Sequence, residues 1–271
     1  MDEIEVKIIF DGKTTDLEVL RRILTKLREI EPFAPNYWGP HERKREPWDI
    51  ESILAFVSAD KARYSAFLSS SITLWRTSAP RYQGSVNAAD QTVNRMSFSL
   101  SPGHAAKHVK AIYEATDELV QSVPTIFAYV HPMWRKGPEV EGIAKKDLAR
   151  YTWGREASEH GIYAKGVLAI NARTWFGSLL VERIGRARLL GLEGARESES
   201  GVIRIDLLPE PWNASLVDLA RRKEEVMDHL RPSGMFMDVE IDDNGDYTKM
   251  SPAPQWTPPD WTLRLKRKDA P

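Results

Sequence analysis

Few residues in this chain combine the types and spacings that reaction chemistry demands. His104 and His108 are four apart in a stretch of helical periodicity, a spacing that can present two imidazoles to one metal ion. Between them stand Ala105, Ala106 and Lys107, so the glutamate base of a zinc hydrolase is missing and Lys107 would repel a cation. Spacing identifies no third ligand, and two exposed helical histidines are the ordinary reading. Ser178 follows Gly177 ahead of a helical stretch, but a nucleophile elbow needs a glycine on both sides of the serine, and position 180 is leucine. No Gly-rich run precedes a Lys-Ser or Lys-Thr pair, so there is no phosphate cradle. Cysteine is absent, which removes disulfides, thiolate metal sites and cysteine nucleophiles together. These patterns lead us to expect no catalytic residues, no metal and no cofactor.

Two other features suit binding rather than catalysis. Asp238, Glu240, Asp242, Asp243 and Asp246 form the most charge-biased patch, and no Lys or Arg occurs from Gly234 to Tyr247. A calcium loop is excluded because Gly245 is at the wrong offset and no glutamate closes the loop. On a two-stranded ribbon Asp238, Glu240 and Asp242 would share one side, adding their potentials into an acidic face for a basic partner. The plainer alternative is a solvated hairpin kept polar against edge pairing. Trp38, Trp134 and Trp256 stand in Pro- or Gly-flanked stretches, where aromatics either anchor protein interfaces or plug the end of a sheet. Of these, Trp38 and Trp134 are the expected partner contacts. Arg135-Lys136 beside Trp134 is a single basic pair without a wider basic face, so nucleic acid is not the expected partner.

Composition agrees with a globular protein. Of 271 residues, 42% are hydrophobic and 28% charged, and the net charge of −1 gives no bias toward nucleic acid or anionic membrane. No apolar stretch approaches the ~18 residues of a membrane span. Met1-Asp2-Glu3-Ile4-Glu5 is acidic where a signal peptide would be basic and then apolar, so a cytoplasmic location is expected.

The positioning elements follow from periodicity. Ile4–Phe10 reads as a strand ended by Asp11-Gly12, and Thr15-Asp16-Leu17-Glu18 has capping-box spacing for a helix with Leu17, Leu20, Leu24 and Leu27 on one face. Residues 35–40 read as a loop, and Asp49 caps a helix carrying Ile53, Leu54 and Val57. Ile72–Trp75 is ambiguous and Ser78–Asp90 reads as a loop. Met96, Phe98 and Leu100 alternate as a half-buried strand, Pro102 opens a long helix, and Ile126–Val130 is a strand with more than one covered face.

The second half centres on Val167–Gly185. Val167–Ile170 reads as a strand, Asn171 and Thr174 as helix caps, and Leu180, Val181 and Ile184 as the buried stripe of a short helix stopped at Gly185. Strands at Leu189–Ala195 and Val202–Leu208 come next, then a helix from Asn213 or Ser215 through Leu230. A hairpin over Met235–Met250 turns at Asn244-Gly245. The implied class is α+β, with antiparallel or mixed sheets and helices packed on one side. The expected organisation is an N-terminal α/β lobe over 1–135, a connecting segment over 136–160, a C-terminal α/β lobe over 161–250 and a Pro-rich, basic tail over 251–271.

A set of motifs resembles a known family. Tyr37-Trp38-Gly39-Pro40, Trp75-Arg76, the strand and helix from Asn94 to Leu119, and Asn171-x-x-x-Trp175-Phe176-Gly177 running to Val181-x-x-Ile184-Gly185 are together similar to the immunity protein 52 family. Those proteins are bacterial antidotes encoded beside toxins of polymorphic and type VI secretion systems. The resemblance spans roughly residues 30 to 230. It implies an α+β fold, no enzymatic activity, and a secreted toxin as partner, often one with a restriction-endonuclease-like domain. The matched positions look structural, so no inhibitory residue set transfers, and the acidic hairpin lies outside the match. The competing classes are an enzyme whose pocket the sequence does not disclose and a general protein-binding adaptor.

Overall fold

The computed structural model describes residues 3–11, 17–31, 33–39, 45–63, 70–75, 83–88, 93–100, 102–134, 165–241 and 247–258. The fold is α+β, and the chain divides into two compact units, Glu3–Val130 and a second comprising His131–Pro271 with Met1–Asp2.

In the first unit β1 (Glu3–Asp11) is the organising strand. Ile4, Val6 and Ile8 are fully buried while Glu3, Glu5 and Lys7 are part-exposed, the alternation of a sheet with one covered face. β1 pairs antiparallel with β6 (Val93–Leu100), setting Ile4 against Leu100, Val6 against Phe98 and Ile8 against Met96. All six side chains are buried, so each cross-strand pair joins two apolar groups and fixes the register. The remaining strands are β2 (Tyr37–Gly39), β3 (Glu46–Pro47), β4 (Ser70–Trp75), β5 (Gln83–Ala88) and β7 (Thr125–Met133), in the order β3-β2-β4-β5-β6-β1-β7. Helix α1 (Leu17–Glu29) buries Leu20, Ile23, Leu24 and Leu27, and packs against α2 (Ile50–Arg63) and α3 (Pro102–Ser122). Asp49 caps α2 by accepting from the Ser52 backbone N–H at 3.0 Å. The capping-box residues Thr15 and Asp16 lie outside the described residues.

Two expectations are corrected here. Residues 37–39 are a strand rather than a loop, pairing with both β3 and β4. Within the loop expected over Ser78–Asp90, Gln83–Ala88 is β5, paired with β4 on one side and β6 on the other. Its sequence, Gln-Gly-Ser-Val-Asn-Ala, alternates polar residues with Gly84, Val86 and Ala88, but Val86 is its one large apolar side chain, so the period-two signal is faint. Strand propensity is set largely by neighbours, and here two flanking strands supply the ladder that the residues themselves only weakly advertise.

In the second unit β8 (Arg173–Phe176), β10 (Ile203–Asp206) and β9 (Ala195–Glu197) form an antiparallel run in the order β8-β10-β9. Helices α4 (Ser178–Ile184) and α5 (Arg186–Leu190) follow β8, and α6 (Leu216–Leu230) follows β10. Leu180, Val181 and Ile184 are buried as their spacing requires, and Gly185 ends α4 with φ of 99°. Ser215 caps α6, accepting from the Asp218 N–H at 3.1 Å. Arg188 Nη1 donates to the His229 carbonyl at 2.9 Å, tying α5 to the end of α6.

The expected strand Val167–Ile170 is not one. It is buried chain that makes a single parallel bridge, Val167 to Phe236. The strand lies at Arg173–Phe176, at the position expected of helix caps. Asn171 instead lies in the turn before it and Thr174 within it, the Asn171 backbone N–H donating to Thr174 Oγ1 at 2.8 Å. Leu189 and Leu190 end a short helix rather than begin a strand.

Candidate functional site

The acidic segment forms a hairpin of its own. β11 (Asp238–Ile241) pairs antiparallel with β12 (Tyr247–Ser251), setting Asp238 against Ser251, Val239 against Met250 and Glu240 against Lys249. Met235, Phe236 and Met237, which periodicity assigns to the hairpin, are buried ahead of it. Asp238 and Glu240 are exposed and stand two apart on β11, hence on one face. The register shifts between Glu240 and Ile241, so the simple alternation is interrupted within β11. Asp242, Asp243 and Asp246 lie outside the described residues.

The second strand brings a charge that the gap in basic residues from Gly234 to Tyr247 conceals. Lys249 Nζ donates to Glu240 Oε1 at 2.7 Å. That hydrogen bond, reinforced by the negative charges of Glu240 and Asp238, raises the Lys249 pKa above its ordinary value. A raised lysine pKa means that the stability linked to the charged lysine is fully present below the unfolded-state value of about 10.4 and is lost as pH rises through the folded value. Glu240→Gln should therefore move the Lys249 titration, followed by NMR at its side chain, back toward the ordinary lysine range. An unmoved titration would show that the pair is not populated in solution. On the opposite face of the ribbon Val239 is part-exposed, and Met250 is 43% exposed, one of the few large apolar side chains so open among the described residues.

The two tryptophans part company. Trp38 is only 3% exposed and packs on Phe56 with ring centroids 5.8 Å apart. It is a core residue of the first unit, which corrects its reading as a partner contact. It stands in a strand, Tyr37–Gly39, rather than in an open loop. Trp134 is half-buried, with its ring edge-on to buried His131 at 6.4 Å. Arg135 and Lys136 lie outside the described residues. Positions 104 and 108 fall on the first two turns of α3, where the backbone alone is described. Among the described residues no group of three or more His, Asp or Glu is placed to hold a metal ion, and no helix is long and apolar enough to cross a membrane.

One polar arrangement of the second unit is invisible in the sequence. Arg173, 4% exposed, forks onto Asp206 of the paired strand, with Nη2 donating to Oδ2 at 3.2 Å and Nε to Oδ1. Arg204 Nε lies 3.2 Å from the same carboxylate. The Arg173 guanidinium also lies 5.8 Å from each of the Trp175 and Trp212 ring centroids. A bidentate ion pair flanked by two indoles holds the β8–β10 register, and it involves no exposed reactive group.

No protein-family model and no curated protein matches this sequence. Among solved structures, the Pseudomonas aeruginosa T6SS protein PA0821 is similar, with a TM-score of 0.55 at 11% identity, over 97% of this chain and 82% of that one. At that identity the likeness is one of fold.

Proposed function

We propose that this chain is an immunity protein of a type VI secretion system, which neutralises a cognate secreted toxin, a nuclease, by binding it directly in the cytoplasm. The observation that carries the reading is the fold shared along 97% of the chain with a protein described as belonging to a type VI secretion system. The Trp- and Gly-centred motifs similar to immunity protein 52 point the same way. The antidote acts stoichiometrically and turns over nothing. A stable interface of this kind removes about 1,200–2,000 Å² from solvent.

The acidic hairpin supplies the electrostatics. A nuclease needs a cationic face to hold phosphate backbones, and carboxylates can cover that face. Asp238 and Glu240 are exposed on the ribbon, and Asp242, Asp243 and Asp246 come after them in sequence. Such complementarity acts chiefly on the association rate and is screened by salt. Asp242→Lys with Asp243→Lys should slow association about tenfold at low salt, with the difference shrinking at high salt. Fold stability should stay within about 0.5 kcal/mol of wild type. Association at the wild-type rate would remove the hairpin from the interface and turn attention to Trp134.

The reading is tested by co-expressing this chain with the product of the adjacent reading frame. A complex that survives size-exclusion chromatography, and rescue of cells from that product, are expected. A neighbouring protein that is not toxic, or that is toxic and neither binds nor is neutralised, would defeat it.

A further inference from the structure

We propose that residues Ser251–Thr257 form a latch that holds the β11–β12 hairpin onto the second unit, fastened at its far end by Arg183 of α4. A two-stranded hairpin is marginal by itself in water, and β11 and β12 form a two-stranded sheet of their own. The chain on either side of the hairpin must therefore hold it in place. β12 runs directly into the latch, where Ala253 is buried and its N–H donates to the Lys165 carbonyl at 2.7 Å. Lys165 Nζ donates back to the Met250 carbonyl at 3.0 Å, and the Gln255 N–H donates to the Gly234 carbonyl at 2.9 Å. On its other side the Lys165–Val167 segment is bonded to the hairpin base. The Val167 N–H donates to the Met235 carbonyl at 3.0 Å, and the Met237 N–H to the Val167 carbonyl at 2.8 Å.

Two glycines show how closely these strands of chain approach. A Cβ on Gly166 would lie 2.8 Å from both the Ala253 Cβ and the Met235 carbonyl oxygen, and one on Gly234 would lie 2.6 Å from the Gln255 Cγ. The far end of the latch is held from outside the segment. The Arg183 guanidinium lies 4.8 Å from the Trp256 ring centroid, and its Nη1 donates to the Thr257 carbonyl at 2.6 Å. Arg183, Trp256 and Thr257 are all at least part-exposed, so this fastening is the point at which the latch opens first. Opening it releases Ala253 from Lys165, and then the base of the hairpin.

Hydrogen exchange on the full chain without any partner tests the latch, whatever the fate of the toxin reading. Arg183→Ala and Trp256→Ala should each speed exchange of the Val167, Met237 and Ala253 amides by about three- to tenfold, while α1 keeps wild-type rates. Trp256→Phe, which keeps an aromatic face under Arg183, should restore much of the protection. Wild-type rates at those three amides in both alanine variants would overturn the proposal. So would equal acceleration throughout the chain, because the fastening would then be an ordinary contributor to global stability.

Discussion

Asp206→Ala should destabilise the second unit by about 3–5 kcal/mol, the usual cost of removing one partner from a buried ion pair. The Asp206 carboxylate, 8% exposed, accepts both arms of the Arg173 fork and lies 3.2 Å from Arg204 Nε. Its removal leaves two guanidinium groups in a largely desolvated place without the anion they share. A loss of this size is a large share of the roughly 5–15 kcal/mol that holds a typical domain. Urea unfolding followed by near-ultraviolet circular dichroism reads it, because Trp175 and Trp212 flank Arg173. Replacing both members, Arg173→Met with Asp206→Leu, should recover part of the loss, because it removes the more deeply buried charge along with its anion, while Arg204, 20% exposed at its side chain, keeps access to water. A single variant as stable as wild type would show that the fork contributes nothing to the fold.

Gly166→Ala carries the second large effect, about 3 kcal/mol, from two sources that act together. Gly166 has φ of 110°, a conformation that a side chain resists, and its added methyl would meet the Ala253 methyl and the Met235 carbonyl at 2.8 Å. Backbone carbonyl and buried methyl cannot swing aside as an exposed side chain could. The expected result is a lower urea midpoint together with loss of hydrogen-exchange protection at Ala253 and Met237. Wild-type stability would mean that the chain between Lys165 and Val167 shifts freely, which the hydrogen bonds on both of its sides oppose.

Both sites are poorly legible in the sequence, for a shared physical reason. Leu20, Leu24 and Leu27 can be read as a buried stripe because helical spacing puts partners within one turn, although Leu17, read onto the same face, is only half-buried at the start of the helix. Met96, Phe98 and Leu100 are legible as a strand because alternation is equally local. Arg173 and Asp206 are 33 residues apart, and nothing near either marks the other as its partner. Val167–Ile170 reads as a strand because it is apolar, yet burial rather than sheet pairing accounts for that composition. Trp38 misleads through its neighbours, since a short strand ending at Gly39 looks like a loop when only the breakers in the sequence are visible. In the hairpin, alternation places Asp238 and Glu240 on one face, but the partner strand sets Lys249 opposite Glu240, and no local pattern announces a cross-strand pair.

Titrating the proposed toxin partner with this protein tests the proposed neutralisation most directly. Residual toxin activity, nuclease cleavage in the proposed case, should fall in proportion to added protein and reach zero at a fixed molar ratio that does not change with incubation time. Complete loss of toxin activity at trace amounts of the protein, progressing with time, would contradict stoichiometric binding and mark the chain as an enzyme that modifies its target.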